Sequence, residues 1–275
     1  MPRFHNWLQH HRLPAFFVLS YAISWLSWPV FALGIMPRME FLPIGPLAAA
    51  LIMIGLAEGR TGYRAWSRRI LRWRVGWAWY AVALLLPAVL VLVTGSVNML
   101  LGAAAPGLSQ LTGSGLLVVF AVRLVNPMDG PLGEEPGFRG YAVPLLQASR
   151  LPLQAAALLG FVVAFWHLPL IVFGGLSLIG LPTTFVITFL YVWLFNRTGG
   201  SVLLTLLCHN SQGTFTVGSY GFAGPDAQRA ELIYFVVVAA AVLGTFLFDR
   251  PAWRTAPKEA TDVGPLAVRS DRASS

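Results

Sequence analysis

Between residues 14 and 248 the chain alternates apolar runs with short breaks bearing polar residues, proline or glycine. The run lengths predict an all-α, polytopic integral membrane protein of about eight transmembrane helices. The runs fall at 14–35, 41–56, 77–101, 115–125, 153–173, 176–195, 200–217 and 233–248. The second is short and interrupted by Pro43 and Pro46. The fourth is cut by Asn126-Pro127 and Asp129-Gly130-Pro131, so either of these two can instead be re-entrant. Non-helical backbone at membrane depth survives only where protein or a water-filled cavity surrounds it, so the broken fourth element predicts an internal aqueous pocket.

The polar remainder orients these runs. Residues 1–13 form a basic lead-in carrying Arg3, His5, His10, His11 and Arg12, and residues 249–275 a polar tail expected to be disordered. No soluble domain boundary precedes residue 249, so 14–248 reads as one transmembrane domain. Residues 60–74 hold six arginines interleaved with Tyr63, Trp66 and Trp73, the pattern of a cytoplasmic loop lying against anionic headgroups. Counting eight spans from a cytoplasmic N-terminus puts this loop, Arg150, Arg197 and the tail inside, and Arg38 and Arg229 outside. Both termini are therefore expected on the cytoplasmic face of a cell membrane.

Composition agrees with the pattern. The chain is 56% hydrophobic and only 11% charged, against roughly a quarter charged in soluble domains, with mean hydropathy +0.68. Its net charge of +8 is spread between apolar runs, not gathered on a soluble face, which argues against nucleic acid as a partner. The lipid bilayer is the expected partner. A single cysteine, Cys208, excludes an internal disulfide and a cysteine-based metal cluster.

Against this background, Pro131-Leu-Gly-Glu-Glu-Pro-Gly-Phe-Arg-Gly-Tyr141 places two adjacent carboxylates and an arginine in an apolar stretch. Helical neighbours diverge by about 100°, so Glu134 and Glu135 cannot face the same cavity, whereas Glu135 and Arg139 stand at i,i+4 and can pair. Pro136 between them works against that pairing, because a residue preceding proline is pushed out of the α region. His167 and His209 are each the sole imidazole of an apolar run, and ionisable groups at such depth point to function. A helix begun at Leu153 carries His167 about 21 Å from its start. Glu134 reaches the same depth only if the break at 126–133 holds it there or the fifth helix begins later. Arg123, just before the break, can snorkel or pair with Asp129 or the motif glutamates, while Glu40 and Glu58 read as solvated.

The pattern Glu134-Glu135-x-x-x-Arg139 resembles the first motif of the CPBP family of intramembrane metalloproteases, which takes in CAAX proteases and bacteriocin-processing or abortive-infection types. His167-Leu168-Pro169 is similar to the second motif, F-x-x-x-H, with Val163 where the phenylalanine is expected. His209 is similar to the histidine of the third, H-x-x-x-N, with Gly213 at the asparagine position and Asn210 and Gln212 as nearby amides. The resemblance runs from about Pro131 to Gly213. It implies an intramembrane endopeptidase acting on a membrane-associated peptide or protein, with Glu134 as catalytic carboxylate, His167 and His209 completing the site, and Glu135, Arg139 and Asn210 supporting it. Two imidazoles and a carboxylate suit zinc or another divalent metal, so Glu134, His167 and His209 are candidate metal ligands; a glutamate and histidines can also position water with no ion. Two other classes stay open. One is a non-catalytic membrane scaffold or bacteriocin-immunity protein, which the departures at Val163 and Gly213 favour. The other is a proton-coupled transporter, which inverted repeats, not seen here, would favour.

Overall fold

A computed structural model describes residues 7–35, 41–104 and 113–261. All regular structure among the described residues is helical. Arg3, His5, Arg38, Glu40 and the tail beyond 261 lie outside them.

The first apolar run forms α1 (Arg12–Trp25) and, past Leu26, α2 (Ser27–Ala32). The restart puts Pro29 in a first turn, where a missing N–H breaks no helical bond. The lead-in does not stay apart from the domain: Arg12 opens α1 and pairs with Glu58 at 3.2 Å, so Glu58 is held, not solvated. Pro43 and Pro46 delay the second run to α3 (Gly45–Ala57). At 1.5 Å per residue its 13 residues cover about 20 Å, short of the bilayer core.

The expected loop at 60–74 is mostly a helix, α4 (Gly59–Ile70). Arginine is a good helix former, and Arg60, Arg64 and Arg68, spaced by four, share the exposed face while Ala65 and Arg69 are buried. Next come α5 (Trp77–Leu100) and α6 (Gly113–Val125). The motif then builds a rod of α7 (Pro131–Gly137), a π-turn (Phe138–Ala142) and α8 (Val143–Gln147). The fifth run splits into α9 (Pro152–Trp166) and α10 (Leu168–Val172), with His167 at the joint, because Pro169 cannot donate a helical bond. After α11 (Gly180–Arg197) and α12 (Val202–Thr214), α13 (Gly224–Phe248) starts well before the expected position 233.

The described part of the tail is ordered, contrary to the expectation from its polarity. In α14 (Pro251–Arg254), Trp253 is buried against Phe189 and Phe246, and Asp249 just before it pairs with Arg197 at 2.7 Å and accepts from Trp193 Nε1 at 2.7 Å. One aromatic anchor and one ion pair hold a segment that composition alone reads as loose. A last short helix, α15, spans Lys258–Thr261.

Among the described residues, three helical stretches are long and apolar enough to cross a membrane: Arg12–Ala32, Trp77–Leu100 and Gly224–Phe248. Gly45–Ala57, Gly115–Val125 and Pro152–Trp166 are shorter apolar helices. Helix length therefore supports a membrane protein without fixing eight crossings. Large apolar side chains such as Leu85, Leu92, Val236 and Leu243 are more than half exposed, as a lipid-facing surface requires.

In lipid, helices gain little hydrophobic energy from association and rely on close packing by small residues. Gly133 and Gly137, one turn apart on α7, fill that role. A methyl group on Gly133 would lie 2.6 Å from the Pro43 carbonyl oxygen, and one on Gly137 would overlap the Pro46 carbonyl. The rod bearing the glutamates thus rests directly on the start of α3.

Candidate active site

The rod owes its shape to the residues of the motif. Pro136 lacks an N–H and crowds the preceding turn, yet the helix continues because the chain widens into a π-turn at Phe138–Ala142. Carbonyls around that irregularity are taken by α4: Trp66 Nε1 donates to the Pro136 oxygen at 2.9 Å, and Arg69 Nε to the Gly140 oxygen at 3.0 Å. Glu135 and Arg139 consequently do pair, Nη1 to Oε1 at 2.9 Å, with exposures of 0% and 1%.

Glu135 Oε1 also faces His209 Nδ1 at 2.9 Å. A carboxylate oxygen only accepts, so Nδ1 carries the proton and Nε2 is the ring's other face. Tyr191 completes the cluster, stacked on His209 with centroids 5.3 Å apart and lying 4.8 Å from the Arg139 guanidinium. Glu135 is thus a tethered charge whose work is to fix α12 and its imidazole against the rod. Glu134 is different. Among the described residues no side chain pairs with it, although it is 4% exposed.

His167 hinges between α9 and α10. Its Nδ1 donates to the Val163 carbonyl at 2.8 Å, leaving Nε2 with its lone pair. Phe41 and Trp166 flank the ring, with centroids 5.8 and 4.9 Å away. Val163, where the second motif would carry phenylalanine, therefore serves through its backbone, while Phe161 and Phe165 point outward at 56% and 49% exposure.

Glu134, His167 and His209 all line a single cavity of about 360 Å³, whose walls include Tyr191, Gln212 and Glu231. The apparent mismatch in depth resolves because Glu134 stands in the first turn of its helix, not the last. The chain runs from there along the rod, turns at 148–151 and returns down α9 to His167 over a similar length. Gln212 joins the wall because α12 continues to Thr214, one turn beyond His209. Asn210 does not line the cavity. It is fully buried on the opposite side of α12, and its Nδ2 donates to the Phe120 carbonyl of α6 at 2.9 Å. Arg123 pairs with Asp129 at 2.6 Å and not with the motif glutamates.

Glu134, His167 and His209 offer donors of the right type for zinc, but among the described residues no three His, Cys, Asp or Glu are gathered closely enough to hold an ion. Besides these three groups the cavity wall carries Glu231 and Arg139, the latter compensated by Glu135. Sequence reasoning missed three contributors. The Gly133-x-x-x-Gly137 spacing was legible as a close-approach signal; Tyr191 and the inward turn of Trp66 and Arg69 left no trace in local pattern.

Residues 112–213 match the family model described as type II CAAX prenyl endopeptidase Rce1-like. This segment carries Glu134, His167 and His209 together with the Glu135–Arg139 pair. No curated protein matches the sequence.

Proposed function

We propose, from the type II CAAX prenyl endopeptidase match over the central segment, that the protein is an intramembrane endopeptidase hydrolysing a peptide bond in a membrane-associated peptide or protein. The observation that carries the reading is convergence. Three segments far apart in sequence bring the Glu134 carboxylate and two imidazoles to a common cavity whose wall mixes apolar side chains with hydroxyls, Gln212, Arg139 and Glu231. Prenylated C-terminal peptides, bacteriocin precursors and short membrane proteins all have the amphipathic character such a cavity admits.

In this reading Glu134 removes a proton from a water as its oxygen bonds to the scissile carbonyl carbon, and the carbonyl π electrons move onto oxygen. His167, its Nδ1 committed to Val163, accepts a water hydrogen at Nε2 and orients the attack. His209, held by Glu135 through Nδ1–H, serves in its doubly protonated form and donates from Nε2–H to the developing oxyanion. Collapse of the tetrahedral intermediate breaks the C–N bond, and Glu134 returns the proton to the departing amine. A divalent metal at this site would add Lewis-acid polarisation; the donors as arranged do not converge on one, so no step here uses it. Metal analysis of purified protein tests that point, since stoichiometric zinc lost in Glu134→Gln would require a rearranged site. The accompanying membrane arrangement is eight apolar segments with both termini and α4 on the cytoplasmic side.

Glu134→Gln keeps shape while removing the base. Peptide termini are compared in membranes from cells producing the native chain and the variant at equal levels. Termini formed only with the native chain, and at least about a hundredfold fewer with Glu134→Gln, are expected. Identical sets of termini would instead support a non-catalytic scaffold or immunity protein, a reading favoured by the absent side chain at Gly213.

A further inference from the structure

Gly213 lies one turn beyond His209 on α12 and on the same face. Its missing side chain is not replaced by empty space. A methyl group there would overlap Nη2, Cζ and Nε of Arg123, whose guanidinium reaches the glycine from α6. Asp129 Oδ1 holds Nη1 at 2.6 Å, and Nε is buried with no hydrogen-bond partner. The remaining nitrogen, Nη2, faces the corner at Gly130, whose left-handed backbone (φ 82°) opens α7. The position a Cβ would take on Gly130 is 3.7 Å from Arg123 Nη2 and 3.3 Å from Glu134 Oε1. The permanent cation and the unpaired carboxylate thus face each other across one α-carbon, without forming an ion pair. A substrate carbonyl oxygen accepting from Nη2 and a water held by Glu134 would then stand side by side, as attack of that water on that carbonyl requires.

We infer that Arg123 is a further catalytic residue: its guanidinium takes the place vacated at Gly213 and donates, through Nη2, to the substrate oxygen on which negative charge develops. The inference rests on the endopeptidase reading above. It answers a deficit in that reading, because Asn210 is committed to Phe120 and position 213 carries no side chain, so that Gln212 is the amide α12 brings to the cavity wall. A guanidinium held by Asp129 suits the task. Its fork lets one nitrogen be anchored while another faces the substrate. Asp129 offsets the charge of the empty site, and the oxyanion draws on the cation only as it forms.

The test reads the rate at which Glu134-dependent termini appear in membranes holding equal amounts of each variant. Arg123→Ala should slow it by about a hundredfold or more, with Arg123→Lys in between. Adding Gly213→Asn to Arg123→Ala refills the vacated volume with an amide N–H on the face of His209 and should recover at least about tenfold; an arginine serving only structure would gain nothing from that change. Should Arg123→Ala fail to accumulate, Gly213→Ala serves instead, since it displaces only the flexible end of Arg123 and should also slow cleavage. Native rates from Arg123→Ala or Gly213→Ala, with Glu134→Gln silent, overturn the role of Arg123 and leave the endopeptidase standing. Absence of Glu134-dependent termini even with the native chain overturns both.

Discussion

Truncating Arg139 should lower the stability of the protein substantially. Arg139 and Glu135 are 1% and 0% exposed and share a 2.9 Å hydrogen bond, so Arg139→Ala strands a carboxylate in the interior with His209 as its remaining partner. Removing one member of a buried pair costs about 3–5 kcal/mol, and loss of the guanidinium 4.8 Å from Tyr191 adds about 1 kcal/mol. For a chain of this size that corresponds to a fall in Tm on the order of 10 °C. The assay is thermal unfolding of detergent-solubilised protein followed by tryptophan fluorescence. The double change Glu135→Leu with Arg139→Met removes both charges, and should melt closer to the native protein than the single variant does. It should nonetheless be inactive, because His209 loses the acceptor that orients it. A Tm for Arg139→Ala within ~2 °C of native, where about 10 °C is expected, would show that Glu135 is neutral or hydrated, and the argument for a tethered charge would fail.

Two further outcomes follow from the packing of the rod and the hinge at His167. Gly137→Ala drives a methyl group into the Pro46 carbonyl, backbone that cannot swing aside, and should lower stability by about 1–3 kcal/mol, while Gly244→Ala, with open space around it, leaves Tm unchanged. His167→Asn keeps a donor for the Val163 carbonyl but no atom at Nε2, so turnover should fall at least about a hundredfold with Tm nearly native; retained turnover would remove His167 from the mechanism.

The sequence made the helical class legible because apolar run length is a direct response to the bilayer. Glu134, His167 and His209 stood out for a related reason: an ionisable group in an apolar run is too expensive to be incidental. What stayed hidden depended on tertiary partners. Pro136 argued against the Glu135–Arg139 pair, and only a widened turn whose carbonyls are taken by Trp66 and Arg69 reconciles the two. Asn210 sat beside His209 in sequence, but consecutive residues on a helix diverge, and α6 claimed its amide. Residues 59–70 are helical because Arg60, Arg64 and Arg68 recur at a helical period, which their charge alone does not reveal. The tail was judged by polarity, yet Trp253 needs only a pocket between Phe189 and Phe246 to hold it. Arg123 has several possible partners in the sequence, and nothing in local pattern shows that Gly213, ninety residues on, makes room for it.

The π-turn at Phe138–Ala142 gives the rod two phases. An uninterrupted α-helix advances about 100° per residue, and a π-turn admits one extra residue, so everything after Ala142 is set back by about that angle. Before the turn, Gly133 and Gly137 meet α3 while Glu134 meets the cavity. After it, Leu146 is fully buried and Gln147 donates to Asn196 Oδ1 at 3.0 Å. No single phase satisfies both halves. Chain length at this point is therefore as much a determinant of the site as the glutamates themselves: shortening the turn by one residue would rotate one half of the rod away from its partners while every side chain named here was still present.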